Sequence, residues 1–505
     1  MRKNILTYLE KTVREVPDKT AFVDDASSLT FQQLSNYAMA IGTSLSEKNL
    51  YKEPVVVLMD KSPDTIAAFL GVVYGGCYYI PMDAEMPKLR MELILEKVQS
   101  RLIIADEKNY ELACSLGTNM EVVLFKDLAK TTIQPAVIEN IRSKALDIDP
   151  IYVVFTSGST GVPKGVTACH RSVIDYVDSL SEVLAFNRDS VFGNQTPLYF
   201  DACLKEVFGT LKFGGTTYFI PKSYFMFPLK LVEYLNEHKI NTVCWVVSAL
   251  TVISSTGTFE EAVPKYLKTI AFGSEVFPIK QFNLWRSVLP EAEFINLYGP
   301  TEGTGMCCYY KVTRDFELDE VIPIGKPFDN TEILLLNEKN ELAAEGENGE
   351  ICIRGTSVTL GYYKDAEKTS QAYVQNPLNT LYPEIIYRTG DLAKYNEHNE
   401  LVFVSRKDYQ IKHMGHRIEL GEIEANVNRS DGIQTACCIY DKSTSKIVLY
   451  YTGEIGKPAL TKALKEYLPR YMMPNYIEKL EQMPLTPNGK LNRVFLKEKF
   501  ANRKG

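Results

Sequence analysis

The stretch YVVFTSGSTGVPKGV, residues 152–166, runs four apolar or aromatic residues, Tyr152 to Phe155, straight into Thr156, Ser157, Gly158, Ser159, Thr160 and Gly161. A Val-Pro-Lys-Gly segment follows, so Lys164 adds a mobile positive charge. Glycines give the backbone unusual angles and close approach, while hydroxyls and main-chain N–H groups donate to an anion. A P-loop needs Gly-x4-Gly-Lys-Ser/Thr, and the residues after Gly161 break that register. The composition therefore predicts phosphate binding and leaves the reaction open. A flexible Ser/Gly turn would explain the small residues, but not a Pro-Lys-Gly behind a buried strand.

A second candidate is Asp201 in FDACLKEVFGTL. An acidic residue in the first turn of a helix is favourable with the helix dipole and needs no function. It equally suits a cationic ligand. The ten cysteines, Cys77, Cys114, Cys169, Cys203, Cys244, Cys307, Cys308, Cys352, Cys437 and Cys438, contain no Cys-x-x-Cys and two adjacent pairs. They have no metal-ligand spacing with the five histidines. Small buried hydrophobes in a reducing compartment is the expected role.

The elements around these residues alternate. EPVVVLMD (53–60), SRLIIAD (100–106), IYVVF (151–155), INTVCWVV (240–247) and KTIAFG (268–273) read as strands, and SPDTIAAFLGVVYGG as a helix behind a Ser-Pro start. Short β-branched runs separated by helices imply an α/β protein with a mostly parallel sheet. Past residue 345, GEICIRG and ELVFVSRKDYQIKHMG suggest smaller antiparallel pieces. The last hundred residues, with IELGEIEANVNRS and PALTKALKEYL as amphipathic helices, suit a compact small domain. There is no internal repeat and no low-complexity linker.

Length and charge set the outer bounds. A chain of 505 residues exceeds one ordinary core, so two or more domains are expected. A formal net charge of −7 gives no basic footprint for nucleic acid. The N-terminus turns polar within a few residues and lacks a signal-peptide core. No run reaches the roughly 18 apolar residues that span a bilayer. A cytoplasmic protein without membrane insertion is expected.

The loop resembles the phosphate-loop signature of the adenylate-forming enzymes, which include amino-acid adenylation domains of nonribosomal peptide synthetases, D-alanine–carrier protein ligases, acyl-CoA synthetases and luciferases. Further stretches resemble that family in its own order: LTFQQLSNYA (29–38), YGGCYYIPMD (74–83), NLYGPTEGT (296–304), GEICIRGTSVTLGYY (349–363) and YRTGDLAKY (387–395). SRKDYQIKHMGHRIELGEIE (405–424), LPRYMMPN and PLTPNGKLNR, ending at 493, complete the set. Motifs spread from 29 to 493 extend the likeness over essentially the whole chain.

The resemblance implies a fold and a reaction. The fold is a large N-terminal domain, 1–407, of parallel and mixed sheets flanked by helices with a small β-barrel-like subdomain, plus a small mobile α+β domain, 408–505. The reaction joins a carboxylate to ATP, releases pyrophosphate, and passes the acyl group to a thiol. Lys490 matches the lysine bridging substrate carboxylate and ATP. Asp391 matches the carboxylate that accepts from the ribose hydroxyls, with Arg406 assisting. Tyr298 would stack on adenine, Asn296 would meet its exocyclic amine, and Gly299 lies beside them. Glu302 matches a Mg2+ carboxylate, with Thr301 next to it in the catalytic motif. Thr156, Ser157, Gly158, Ser159, Thr160, Gly161 and Lys164 would hold ATP phosphates. Asp408 matches a hinge about which the C-terminal domain turns between the two half-reactions. Two departures are visible: Ser405 where glycine is usual, and His413-Met414 in place of a basic pair.

In amino-acid-activating members an aspartate at the place of Asp201 pairs with the substrate ammonium. The other pocket positions carry over as Ala202, Lys205, Trp245, Ile270, Phe272, Gly273, Leu297, Gly305 and Met306. Bulky Trp245, Phe272 and Met306 argue for a small side chain. Lys205 could meet a short acidic substrate or pair with Asp201 four residues earlier. Alanine, serine or glycine and aspartate or another short polar acid thus remain open. With no carrier segment after Lys490, the expected acceptor is the phosphopantetheine arm of a separate carrier protein, and the expected state is a monomer. A D-alanine–carrier protein ligase, an acyl-CoA ligase and a catalytically silent adenylate-binding protein are the alternatives.

Overall fold

The computed structural model describes residues 4–117, 119–158, 161–486 and 491–503. Lys490, Ser159 and Thr160 lie outside these. The chain divides into two compact units: 1–84, 99–154 and 165–407 in one, and 85–98, 155–164 and 408–505 in the other.

The first unit is mixed α/β, with two largely parallel sheets and one antiparallel sheet. The elements follow from local sequence. Thr30 caps Phe31–Glu47 in a reciprocal capping box with Gln33. Ser62 caps Pro63–Tyr74, where Pro63 occupies a position whose N–H would have no helical partner. Tyr78–Pro81 pairs in parallel with Pro54–Leu58, which pairs on its other side with Leu102–Ala105. These strands are buried and apolar on both faces, as a parallel sheet covered by helices requires.

The second sheet carries the site. Its labelled elements are β1 (Val191–Asn194), the helix α1 (Leu204–Phe213), β2 (Thr242–Val246), β3 (Thr269–Gly273) and β4 (Glu293–Tyr298). The order β4-β3-β2-β1 is parallel throughout, inside a nine-stranded sheet. Val246 pairs with Gly273, and Gly273 with Leu297. Adjacent strands therefore end side by side, and the carboxyl ends of parallel strands are where α/β sheets bind ligands. The antiparallel piece is five-stranded and includes β5 (Ile385–Tyr395) and β6 (Leu401–Arg406). It stands at the place of the expected small β subdomain: Thr331–Leu336 pairs with Gly349–Gly355, which pairs with β5, and β5 pairs in turn with Tyr373–Gln375 and with β6.

Nine cysteines are buried and free, as expected of small hydrophobes, and Cys114 is exposed. His170 is also buried, with its ring nitrogens 3.3 Å from Asn4 Nδ2 and 3.4 Å from the Ile5 N–H. Burial pushes its imidazole down to about 4, and the charge of Arg142 adds to this. The neutral ring is the form the fold favours, so its contribution is complete above the ordinary histidine value and is lost as pH falls from about 6.5 toward 4. At pH 5 the loss is on the order of 2 kcal/mol. Urea unfolding of His170→Asn between pH 7 and 5 is expected to lack this part of the slope. A profile parallel to that of the unchanged protein would count against it.

The second unit has a three-stranded sheet, Ile433–Asp441, Lys446–Gly453 and Tyr476–Lys479, packed by the helices α2 (Leu420–Asn428) and Lys457–Tyr467. Arg493 braces it with two bonds to Glu424, at 2.7 and 2.9 Å. In the hairpin Gln410–His413/His416–Glu419, Met414 and Gly415 both have positive φ, 51° and 78°. Two consecutive left-handed residues are what a type I′ hairpin turn demands, and a methionine is an unusual occupant. No helix among the described residues is long and apolar enough to cross a membrane.

Candidate active site

A cavity opens at the carboxyl ends of β2, β3 and β4. Its walls are Thr196, Ala202, Lys205, Cys244, Trp245, Val246, Ala271, Phe272, Gly273, Ser274, Leu297 and Met306. Measured as room for the centre of a water molecule it is about 10 Å³, enough for about one water. Strand geometry supplies most of the wall. Trp245 is fixed by donating its indole N–H to the Gly193 carbonyl at 2.7 Å. Phe272 packs edge-on to Phe277, with ring centres 5.0 Å apart. At Gly273 an added Cβ would lie 2.3 Å from the Leu297 carbonyl, so the close pairing of β3 and β4 requires glycine.

Asp201 opens the short 3₁₀ turn Asp201–Cys203 ahead of α1, next to the wall residue Ala202. Its carboxylate is buried, and Oδ2 has no hydrogen-bond partner. Burial raises its pKa above the usual carboxylate range; the Thr301 hydroxyl and the Lys205 charge oppose this, and Glu302 adds to it. An unsatisfied buried carboxylate is costly unless a cation arrives to meet it. Gly305, with φ of 89°, lies beside this oxygen: a Cβ there would stand 3.8 Å from Asp201 Oδ2, and it is the backbone angle that favours glycine. Ile270 departs from expectation: it is fully buried in the core packed around Trp285, and its neighbour Ala271 is on the wall instead.

The other expected residues of this unit gather around β4, β5 and β6. Tyr298 donates its hydroxyl to Asp391 Oδ2 at 2.5 Å, and Arg406 Nη1 meets Asp391 Oδ1 at 2.5 Å. Asp391 pairs with Arg406 across β5 and β6, so sheet register sets this ion pair. Asn296 spends its amide N–H on the carbonyls of Pro323 at 2.8 Å and Ile322 at 3.4 Å. Gly299 lies so near Met306 that a Cβ would come within 2.5 Å of its Cα. Glu302, fully buried, accepts from the Tyr362 hydroxyl at 2.8 Å.

The phosphate-type loop falls in the second unit. Gly161 has φ of 82° and donates to the Gly158 carbonyl, and a Cβ on Gly158 would strike the Val162 carbonyl at 2.2 Å. Glycine is therefore required at both places. Thr156 Oγ1 is buried without a partner. The Ser157 hydroxyl donates to the Arg417 carbonyl at 2.8 Å and accepts from the Glu419 N–H at 3.3 Å. The Gly158 N–H donates to Glu422 Oε2 at 3.0 Å, while Arg90 donates to Glu422 Oε1. Glu422 is fully buried; burial raises its pKa and the Arg90 charge holds it down. Lys164 begins the strand Lys164–Cys169. The last of the five places where the chain passes between the units is Lys407/Asp408, while 85–98 and 155–164, expected in the first domain, group with the second unit; Asp408 accepts from the Gln410 N–H at 3.1 Å.

Sequence reasoning missed the wall residues Thr196, Cys244, Val246 and Ser274, and it missed Glu422 and Arg90. Cys244 carried only the signal of a small buried hydrophobe, and Glu422 that of a charge on an amphipathic helix.

The AMP-binding enzyme family matches residues 9–363. The chain belongs to the AMP-binding enzymes. This bears out the likeness to the adenylate-forming superfamily read from the motifs. Tyrocidine synthase 1 of Brevibacillus parabrevis is 31% identical over 98% of this chain and 45% of its own length. Gramicidin S synthase 2 of Brevibacillus brevis is also 31% identical, over 98% of this chain and 11% of its own length. The chain thus spans less than half the length of these relatives. The solved structure of holo-PA1221, a nonribosomal peptide synthetase protein with adenylation and carrier domains bound to a vinylsulfonamide inhibitor, is 25% identical with a TM-score of 0.82. The likeness covers 98% of this chain and 84% of that one. The solved structure of the Vibrio cholerae adenylation domain AlmE, in complex with glycyl-adenosine-5'-phosphate, shares the fold. Its TM-score is 0.86 at 21% identity, over 99% of this chain and 98% of that one.

Proposed function

We propose that this AMP-binding enzyme activates a small neutral α-amino acid as its aminoacyl-adenylate and then transfers it to the phosphopantetheine thiol of a carrier protein. The observation that carries the reading is the pairing of a buried, unpartnered Asp201 oxygen with an adjoining cavity of about 10 Å³ walled by Trp245, Phe272 and Met306. Asp201 would take the substrate ammonium, and the cavity would hold a side chain of hydrogen or methyl size. Asp391, oriented by Arg406, would accept from the ribose hydroxyls, and the Tyr298 ring would lie against adenine. The groups of the 156–164 loop would take the phosphates that leave as pyrophosphate, which suits the orphan Thr156 hydroxyl.

Mg2+ fits this chain as an ion brought in with the nucleotide. Among the described residues no group of three or more metal-binding side chains occurs, and Glu302 supplies one buried carboxylate. One or two carboxylates plus substrate phosphates is a usual Mg2+ environment. When bound, the ion would neutralise charge on the phosphates; Glu302 would anchor it, with its other oxygen steadied by Tyr362.

The test is exchange of labelled pyrophosphate into ATP with each common amino acid in both chiralities, followed by transfer to holo-carrier protein or to coenzyme A. Glycine or alanine should support the fastest exchange and the carrier should be the better acceptor. Fastest exchange with aspartate would transfer the reading to Lys205 and a short acidic substrate. Exchange only with acyl or aryl acids, or transfer only to coenzyme A, would overturn it.

The loop contacts predict competition. The Glu422 carboxylate takes the Gly158 N–H, a donor the proposal assigns to phosphate. Glu422→Gln removes that anion while keeping its shape. ATP should then bind better, with KM for ATP falling roughly three- to tenfold, the equivalent of one charge-assisted hydrogen bond of about 1 kcal/mol or slightly more. An unchanged or increased KM for ATP, measured at saturating amino acid, would remove Glu422 as a competitor.

A further inference from the structure

We propose that Lys61 is a positioning residue for the amino-acid pocket: it clamps the end of β1 and so fixes the pocket wall at Thr196. This rests on the reading that the cavity receives an amino acid. Lys61 lies in the turn between the strand Pro54–Leu58 and the helix Pro63–Tyr74, on the other parallel sheet of the same unit. Its ammonium donates to the carbonyl of Asn194 at 2.9 Å and to that of Gln195 at 3.2 Å. Asn194 is the last residue of β1, and its carbonyl also accepts from the Ile220 N–H at 3.2 Å. Lys61 carries the hold one residue further, to the Gln195 carbonyl, directly before the wall residue Thr196.

The surroundings make this an expensive arrangement. Glu206, on α1, is fully buried, and neither carboxylate oxygen completes a hydrogen bond of normal geometry, although the Asn194 amide lies beside it. Burial pushes Glu206 up to about 7, opposed by the charges of Lys205 and Lys61. Burial also pushes the Lys61 ammonium down to about 7, opposed by Glu206 and by Cys203 in the 3₁₀ turn. The Phe219 ring, on the neighbouring strand, lies 5.6 Å from it. A methionine would fill the same space without desolvating a charge. What the ammonium adds is a charge-assisted hold on two carbonyls, and that hold is present below about 7 and weakens as pH rises through it.

The test uses the full chain with Lys61→Met and Glu206→Gln. In pyrophosphate exchange, Lys61→Met should raise KM for the amino acid at least tenfold and leave KM for ATP within twofold. The unchanged protein should lose amino-acid kcat/KM as pH rises above about 7, Lys61→Met should lack that limb, and Glu206→Gln should move it to lower pH. Without any substrate, amide hydrogen exchange over 194–198 should be faster in Lys61→Met. Unchanged exchange over 194–198, or equal rises in both KM values, would overturn the clamp. Should Lys61→Met fail to fold, the Glu206→Gln limb decides: an unmoved limb overturns it. If no amino acid supports exchange even in the unchanged protein, the substrate reading fails, while the amide exchange still judges the clamp.

Discussion

Replacing Asp201 with asparagine should cut amino-acid-dependent exchange by roughly a hundredfold or more, chiefly through KM for the amino acid. The reason is the oxygen that the fold leaves bare. Oδ2 is buried and unpartnered, and burial outweighs the Thr301 hydroxyl and the Lys205 charge that favour its ionised form. The substrate ammonium of the proposed reaction would supply the missing partner. Truncating one side of a buried charge pair costs about 2–5 kcal/mol, and each 1.4 kcal/mol is a factor of ten. Asparagine keeps the size and loses the charge. The same physics predicts the opposite effect on the unliganded protein. A carboxyl whose folded pKa lies above its unfolded value carries a stability penalty when ionised, and that penalty is relieved as pH falls from the folded pKa to the unfolded one. Asp201→Asn should therefore be at least as stable at neutral pH as the unchanged chain. It should also lose the acid-side decline in amino-acid kcat/KM. Equal activity, or a variant that merely unfolds more easily, would contradict the assignment.

That pairing of lost binding with kept stability separates what the sequence could reveal from what it could not. The strands at 54–58, 102–105, 242–246 and 269–273 were legible because parallel strands buried on both faces leave continuous β-branched runs. Trp245, Phe272 and Met306 could be placed together only through the motif likeness, and all three line one cavity of the structure. The side chains that complete the picture had no local signal. Glu422 reaches Gly158 across 264 positions and Arg90 across 332. In sequence it is one of several glutamates in IELGEIE, where helix periodicity alone gives no way to choose the one that is fully buried. Lys61 and Asn194 are separated by 133 positions, one in the turn after Pro54–Leu58 and the other at the end of a strand of a different sheet. Ile270 shares a face of β3 with the wall residue Phe272 but lies two positions further from the carboxyl end of the strand, where it packs into the core around Trp285, a depth that the strand pattern alone does not reveal.

Lys490→Ala should reduce adenylate formation by roughly a hundred- to a thousandfold and leave transfer from a preformed aminoacyl-adenylate within about threefold. Lys490 lies outside the described residues, so the expectation comes from PNGKLNR and from the chemistry of the first half-reaction. A carboxylate must approach a phosphate, and negative charge builds between them as the bond forms. A positive group aimed there acts on the transition state more than on either bound substrate, and removing one such preorganised donor typically costs about 10²–10³ in kcat. The second half-reaction attacks a neutral carbonyl with a thiol and needs no bridge between two anions. The two steps should therefore separate in this variant: pyrophosphate exchange collapses, while supplied adenylate still loads the carrier. KM for the amino acid should change little, in contrast to Asp201→Asn, where it carries most of the effect. If both half-reactions fell together, Lys490 would be holding the fold or the carrier and not the two anions. If neither fell, the bridging charge would have to come from another residue, with Lys164 the first to replace.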